Sequence, residues 1–183
     1  MSHNPYAPPS ALVADVAPTS AEQPLFFAVS LTKLVVMTLG TFGLYGLYWF
    51  YCNWRTIKRR DEPKILPFWR AFFAIFYCYA CFARIRDAGR QRRIEPPLSA
   101  GPLAAGWIIA SAAARLPDPY WLATFASFLF LLPAQAYANR VNAVAAPAHD
   151  RNARFTAWNW VGIALGSVFF ALVIVGLFYP ESP

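Results

Sequence analysis

The sequence predicts an all-α integral membrane protein with four transmembrane helices and one aromatic, basic helix that is interfacial or re-entrant. Three observations carry that expectation. Of 183 residues, 58% are hydrophobic and only 14% charged, against roughly 45–50% and about 25% in an ordinary soluble domain. Long uncharged runs alternate with short polar ones. The sixteen Lys and Arg outnumber nine Asp and Glu, and they cluster between the apolar runs. A chain this apolar cannot cover its outside with polar side chains in water. That disfavours a soluble enzyme, a disordered regulator and a conventional nucleic-acid-binding domain.

Residues 1–24 form a Pro- and Ala-rich tail that can bury no core and is expected to be disordered. It has no basic n-region and no long apolar h-region, so no cleaved signal peptide is expected. One membrane domain over 25–180 follows, with a short tail at 181–183. The first span covers about 34–54, where 21 uncharged residues separate Lys33 from Arg55. A helix needs about 20 to cross a core of roughly 30 Å. Ser30 can cap its start, Gly40, Gly43 and Gly46 fall three apart, and Tyr48, Trp49, Tyr51 and Trp54 form an aromatic collar.

A basic run from Arg55 to Lys64 leads to the apolar stretch 65–83, which contains Arg70. A second basic run follows: Arg84, Arg86, Arg90, Arg92 and Arg93. Three more spans are expected at about 98–114, 119–139 and 156–179. Pro102 lies in the first turn of one, and Pro133 is a kink within another. The tight turn 115–118 and the polar loop 140–154 join them.

Charge placement decides whether 65–83 crosses. If it does, the two basic runs fall on opposite sides and the bases divide nine against six. If a helix at about 67–90 lies in the cytoplasmic interface, fourteen of sixteen bases share that side. Only Lys33 and Arg115 are then left outside, with net charges of +9 and −2. Short loops of membrane proteins concentrate Lys and Arg on the cytoplasmic side, so the second arrangement is expected.

On that helix Ala71, Ala74, Cys78 and Cys81 form one stripe of small residues, and aromatics fill the rest of the circumference. An aromatic helix flanked by bases suits the headgroup zone. Trp69, Arg70, Arg84, Arg86, Arg90, Arg92 and Arg93 are therefore the candidate residues for binding lipid or a partner. Arg70 reads as a snorkelling or lipid-paired base. Cys78 and Cys81 make a C-x-x-C without further ligands nearby, and pack as small hydrophobes. Gly162 and Gly166 form a G-x-x-x-G, and Gly101/Ala105 and Gly106/Ala110 are similar small pairs that allow close helix approach.

No acidic residue lies inside a span, and polar ones are few: Gln135, Asn139 and Asn159. The chain has no P-loop, G-x-S-x-G, H-E-x-x-H or G-x-G-x-x-G, and Asp61–Glu62 reads as local charge balance. No enzyme activity, cofactor or metal is expected. The expected function is a non-enzymatic module that binds anionic lipid or a protein partner through its cytoplasmic basic face. A membrane protein or a second copy of the chain is the possible polypeptide partner, and no nucleic acid is expected. The competing class, a small transporter or channel subunit, needs a polar path involving Arg70, Gln135 or Asn159.

The segments Leu47-Tyr-Trp-Phe-Tyr-Cys-Asn-Trp54 and Pro67-Phe-Trp-Arg-Ala-Phe-Phe-Ala-Ile-Phe-Tyr77 resemble a family of small bacterial multi-pass membrane proteins described as a domain of unknown function. The likeness covers about residues 25–90. It implies a bacterial inner-membrane setting and brings no activity, substrate or catalytic residue.

Overall fold

The computed structural model describes residues 23–178. The expected tail up to residue 22 and everything from Tyr179 onward lie outside the described residues. Among the described residues the chain forms helices and no strand. These are α1 (Leu31–Gly40), α2 (Leu44–Arg60), α3 (Pro67–Phe72), α4 (Ala74–Gln91), α5 (Ala100–Ala112), α6 (Phe128–Ala145) and α7 (Ala157–Phe178). Two 3₁₀ segments, Ala113–Arg115 and Tyr120–Ser127, complete the order. Two described segments are long and apolar enough to cross a membrane, fewer than the four expected. They are Tyr120–Ala145, which joins the second 3₁₀ segment to α6, and Ala157–Gly176 of α7.

The expected span at 34–54 is not one helix. It breaks at Thr41–Gly43, where Phe42 and Gly43 both adopt positive φ (55° and 83°). Glycine enters that region without steric cost, and a residue with a Cβ does not. The Phe42 ring is held by Phe125 and Phe169, each 4.8 Å away between centroids and edge-on, and this packing offsets the strain. Thr41 fastens the turn from both sides. Its hydroxyl donates to Met37 O (2.6 Å) and accepts from Tyr45 N–H (3.0 Å), capping α2. The chain thus enters as α1 and returns as α2.

This hairpin corrects the expected side of Lys33. Its Nζ donates to Asn152 Oδ1 (2.8 Å) and Arg154 O (2.7 Å) and lies 5.9 Å from the Phe155 ring centroid. Lys33 therefore sits with the loop it was expected to oppose. From there α1 and α7 run in the same direction. Gly40 and Gly166 touch backbone to backbone, since a Cβ on Gly166 would run into Gly40 O. The G-x-x-x-G of α7 is an intramolecular seat for α1. Of the two small pairs in α5, Gly106 acts similarly against the Phe130 ring of α6, whereas Gly101 and Ala105 are exposed and Gly101 faces open space.

Ahead of α1, residues 25–30 have no regular secondary structure, yet Phe26, Ala28 and Val29 are buried. Buried backbone polar groups need partners, and side-chain carboxamides supply them. Asn142 of α6 accepts from Phe26 N–H (3.0 Å) and donates to Phe26 O (2.9 Å). Asn53 of α2 accepts from Phe27 N–H (3.1 Å) and donates to Trp49 O (3.0 Å). The Gln135 amide shares its two N–H protons among Phe27 O (3.1 Å), Val29 O (3.3 Å) and Asn139 Oδ1 (2.7 Å), and its oxygen accepts from Trp49 Nε1. Asn139 donates to Val29 O (2.9 Å). The segment is a strap bonded between α2 and α6.

The expected helix at 67–90 is divided at Phe73 into α3 and α4. Ala71, Ala74, Cys78 and Cys81 are all buried, so the small stripe is the face turned inward. Gly89 lets α4 cross α6, where a Cβ would run into the Tyr137 phenol.

Two stability outcomes follow. Asn142→Ala leaves both polar groups of Phe26 unpaired in the interior, at about 1–3 kcal/mol each, and should markedly lower the detergent-solubilised melting temperature. Gly166→Ala should loosen α7 from α1, whereas Gly176→Ala, with open space around it, should leave the melting temperature unchanged.

Candidate functional site

The two basic runs converge at the end of the molecule where the strap begins. Asp61 follows the last residue of α2 and is bonded by Arg60 through Nε and Nη2 (both 2.6 Å). Arg84, midway along α4, is hydrogen-bonded to Glu62 and lies 3.7 Å from Asp61. Arg60 also donates to Leu25 O (3.2 Å). A cavity of about 440 Å³ between these elements is lined by Leu25, Arg60, Asp61, Arg84, Asp87 and Arg92, among others. Arg140 of α6 donates to Glu95 O (3.1 Å), and Tyr137 Oη to Ile94 O (3.1 Å). The end of the second run is thus tied to α6. Of the sixteen bases, Arg115 stands apart, in the turn beyond α5 at the opposite end.

Electrostatics within this cluster are local. Hydrogen bonding from Arg60 holds the Asp61 carboxyl below its ordinary 3.8, against a smaller opposing effect of burial. Arg86 pairs with Asp87 (2.9 Å), which raises its already high guanidinium value. Burial pushes the thiols of Cys78 and Cys81 up, so neither is poised as a thiolate.

The structure divides the candidate residues into three groups. Arg84, Arg86 and Arg92 are engaged, the last donating to Ala88 O (3.0 Å). Arg90 and Arg93 are exposed and have no ion pair among the described residues. Arg70 and Trp69 lie on α3, away from the cavity. The Arg70 guanidinium sits 4.5 Å from the Trp54 ring centroid and 5.3 Å from that of Tyr77, a cation–π clamp between α2, α3 and α4. Trp69 stacks on Phe73 and meets Phe68 and Phe72 edge-on. Phe68, Phe72 and Phe76 are 61%, 62% and 77% exposed. Together they make an apolar apron beside the bases, larger than the scattered apolar residues of a soluble surface.

A polar path would need Arg70, Gln135 or Asn159, and each has another task. Gln135 is fully buried and bonded to the strap. Asn159 accepts from Thr156 N–H (2.9 Å) and Oγ1 (3.1 Å), closing the first turn of α7. Sequence reasoning missed Asn53 and Asn142. The signal was present: Gln135, Asn139 and Asn142 are spaced four and three apart, one face of a helix. It also passed over Arg55 and Arg59 of α2, which are exposed and make no ion pair among the described residues.

Because the Asp61 value is lowered in the folded chain, its contribution to stability is present above the unfolded value near 3.8. It is lost as pH falls through the lower folded value. Melting curves below pH 4 should therefore fall more steeply for the natural protein than for Asp61→Asn. Separately, Arg70→Gln removes the cation from two rings and should lower stability by about 0.5–2 kcal/mol, with a change in tryptophan emission from Trp54.

Compared with known protein families, curated proteins and solved structures, the chain matches none.

Proposed function

We propose that the protein is a non-enzymatic, multi-pass module of the bacterial inner membrane that binds anionic phospholipid through a cytoplasmic basic face. The observation that carries this reading is charge segregation. Apart from Arg115 at the far end and Arg70 on α3, the bases belong to segments joined around the strap, α4 and the loop after α6, and Arg70 lies within the exposed aromatic apron. In a bilayer such a face belongs to the cytoplasmic leaflet. Each base near an anionic surface contributes about 1 kcal/mol.

The same reading modifies the four-span expectation. We place the Tyr120–Ala145 segment and α7 across the membrane, with α3 and α4 in the interface; α5, 13 residues long and packed along α6, is too short to cross by itself and reaches the far side only with the 3₁₀ segment Ala113–Arg115 that continues it. The α1–α2 hairpin takes the place of the first span and re-enters from the basic side. Its α1 has 10 residues and rises only about 15 Å, too short for a crossing. Non-helical backbone such as the strap is tolerated at membrane depth when protein surrounds and satisfies it. The family resemblance of the 47–54 and 67–77 segments supports the bacterial setting.

The test is capture of the purified protein by vesicles containing phosphatidylglycerol, compared with phosphatidylcholine alone. Replacing Arg84, Arg86, Arg90, Arg92 and Arg93 with Gln should reduce capture by the anionic vesicles at least tenfold. Preference lost in high salt supports the reading, and capture that ignores both charge and mutation overturns it.

A further inference from the structure

The arginines of the second basic run account for attraction to a charged surface, but the cavity that Arg84 and Arg92 border is lined mostly by charged side chains and offers no place for an acyl chain. A different face of the molecule does. On α2, the exposed residues Leu44, Tyr48, Arg55 and Arg59 share one side of the helix, with the buried Cys52 between Tyr48 and Arg55. At the hairpin end this side borders a cavity of about 560 Å³ between α2 and α7. Leu44, Tyr45, Tyr48, Gly162, Leu165 and Phe169 are among its walls, which are almost wholly apolar. At the other end stand Arg55 and Arg59, exposed and without ion pairs among the described residues. A second cavity, of about 450 Å³, is lined there by Arg59, Thr56 and Leu25.

The dimensions match half a bilayer. Leu44 and Arg55 are eleven residues apart on one helix, about 16 Å at 1.5 Å per residue. Half of a hydrocarbon core of roughly 30 Å is about 15 Å. The cavity exists because α7 rests on α1 through Gly40 and Gly166 and so stands away from α2.

We propose that this side of α2 is a seat for one phospholipid of the cytoplasmic leaflet. Its acyl chain lies in the cavity between α2 and α7, and its phosphate meets Arg55 and Arg59. The seat rests on the membrane reading above and adds to it the position and the chemistry of a bound molecule. An apolar tail alone finds no anchor, and a free phosphate finds no use for the cavity. The occupant therefore needs both parts.

The test is native mass spectrometry of the full-length protein, delipidated in mild detergent and supplied with dioleoyl phosphatidylglycerol. One retained lipid per chain is expected. Arg55→Gln with Arg59→Gln should reduce retention at least fivefold. Leu165→Trp, which fills the cavity from an exposed position, should do so independently. Circular dichroism verifies the fold of both. Millimolar inorganic phosphate should not displace the lipid, and displacement by phosphate alone overturns the proposal. So does retention unchanged in both variants, or a second copy of the chain in place of the lipid. The vesicle assay with the Arg84–Arg93 substitutions is read separately. Groove variants that retain lipid while those substitutions abolish capture overturn the seat and leave the membrane reading standing.

Discussion

Everything in this fold is arranged around the need to bury an extended piece of backbone. Residues 25–30 run through the interior without a helix or strand to satisfy them. Carboxamides from α2 and α6 take the place of secondary-structure partners. An amide side chain carries a donor and an acceptor, so Asn142 can serve both polar groups of one residue, as a neighbouring strand would. The strap in turn fixes the spacing of α2 and α6, and Trp49 closes the network from the side. Removing any member leaves buried groups unpaired, which costs more than the bond itself contributes.

From the strap follows the position of the hairpin. A chain bonded along α2 and α6 enters α1 from the basic end and must turn back to become α2. The Thr41–Gly43 turn permits that reversal, and Phe42 wedges it among the rings of the 3₁₀ segment and α7. Because α1 starts at the basic end, Lys33 meets the loop at Asn152–Arg154. Charge segregation is then stronger than a single crossing would have produced. Both basic runs and the loop after α6 come together, and ion pairs such as Arg84–Glu62 join segments distant in sequence.

Aromatic side chains do two different tasks here. Trp49, Phe50, Trp54 and Phe82 are buried and form the centre of the helix packing. Phe68, Trp69, Phe72 and Phe73 stack on or meet one another edge-on and, together with Phe76, are left outside. The small stripe on α3 and α4 separates the two groups. Small residues pack against the core, so their large neighbours are displaced outward as an apron beside the bases.

Much was legible in the chain itself. Composition and uncharged runs determined a helical, apolar protein. The spacing of Ala71, Ala74, Cys78 and Cys81 identified the buried face of the α3–α4 region. Gly162 and Gly166 marked a close helix contact. These are properties of local periodicity, which a helix imposes on sequence. What the sequence could not decide was the break at Thr41–Gly43, since an uncharged run of sufficient length satisfies a span and a hairpin equally. Nor could it place Gln135 or Lys33, whose tasks depend on residues more than a hundred positions away. Hydrogen bonds of buried groups are satisfied by whatever the fold brings near, and only the tertiary structure chooses those partners.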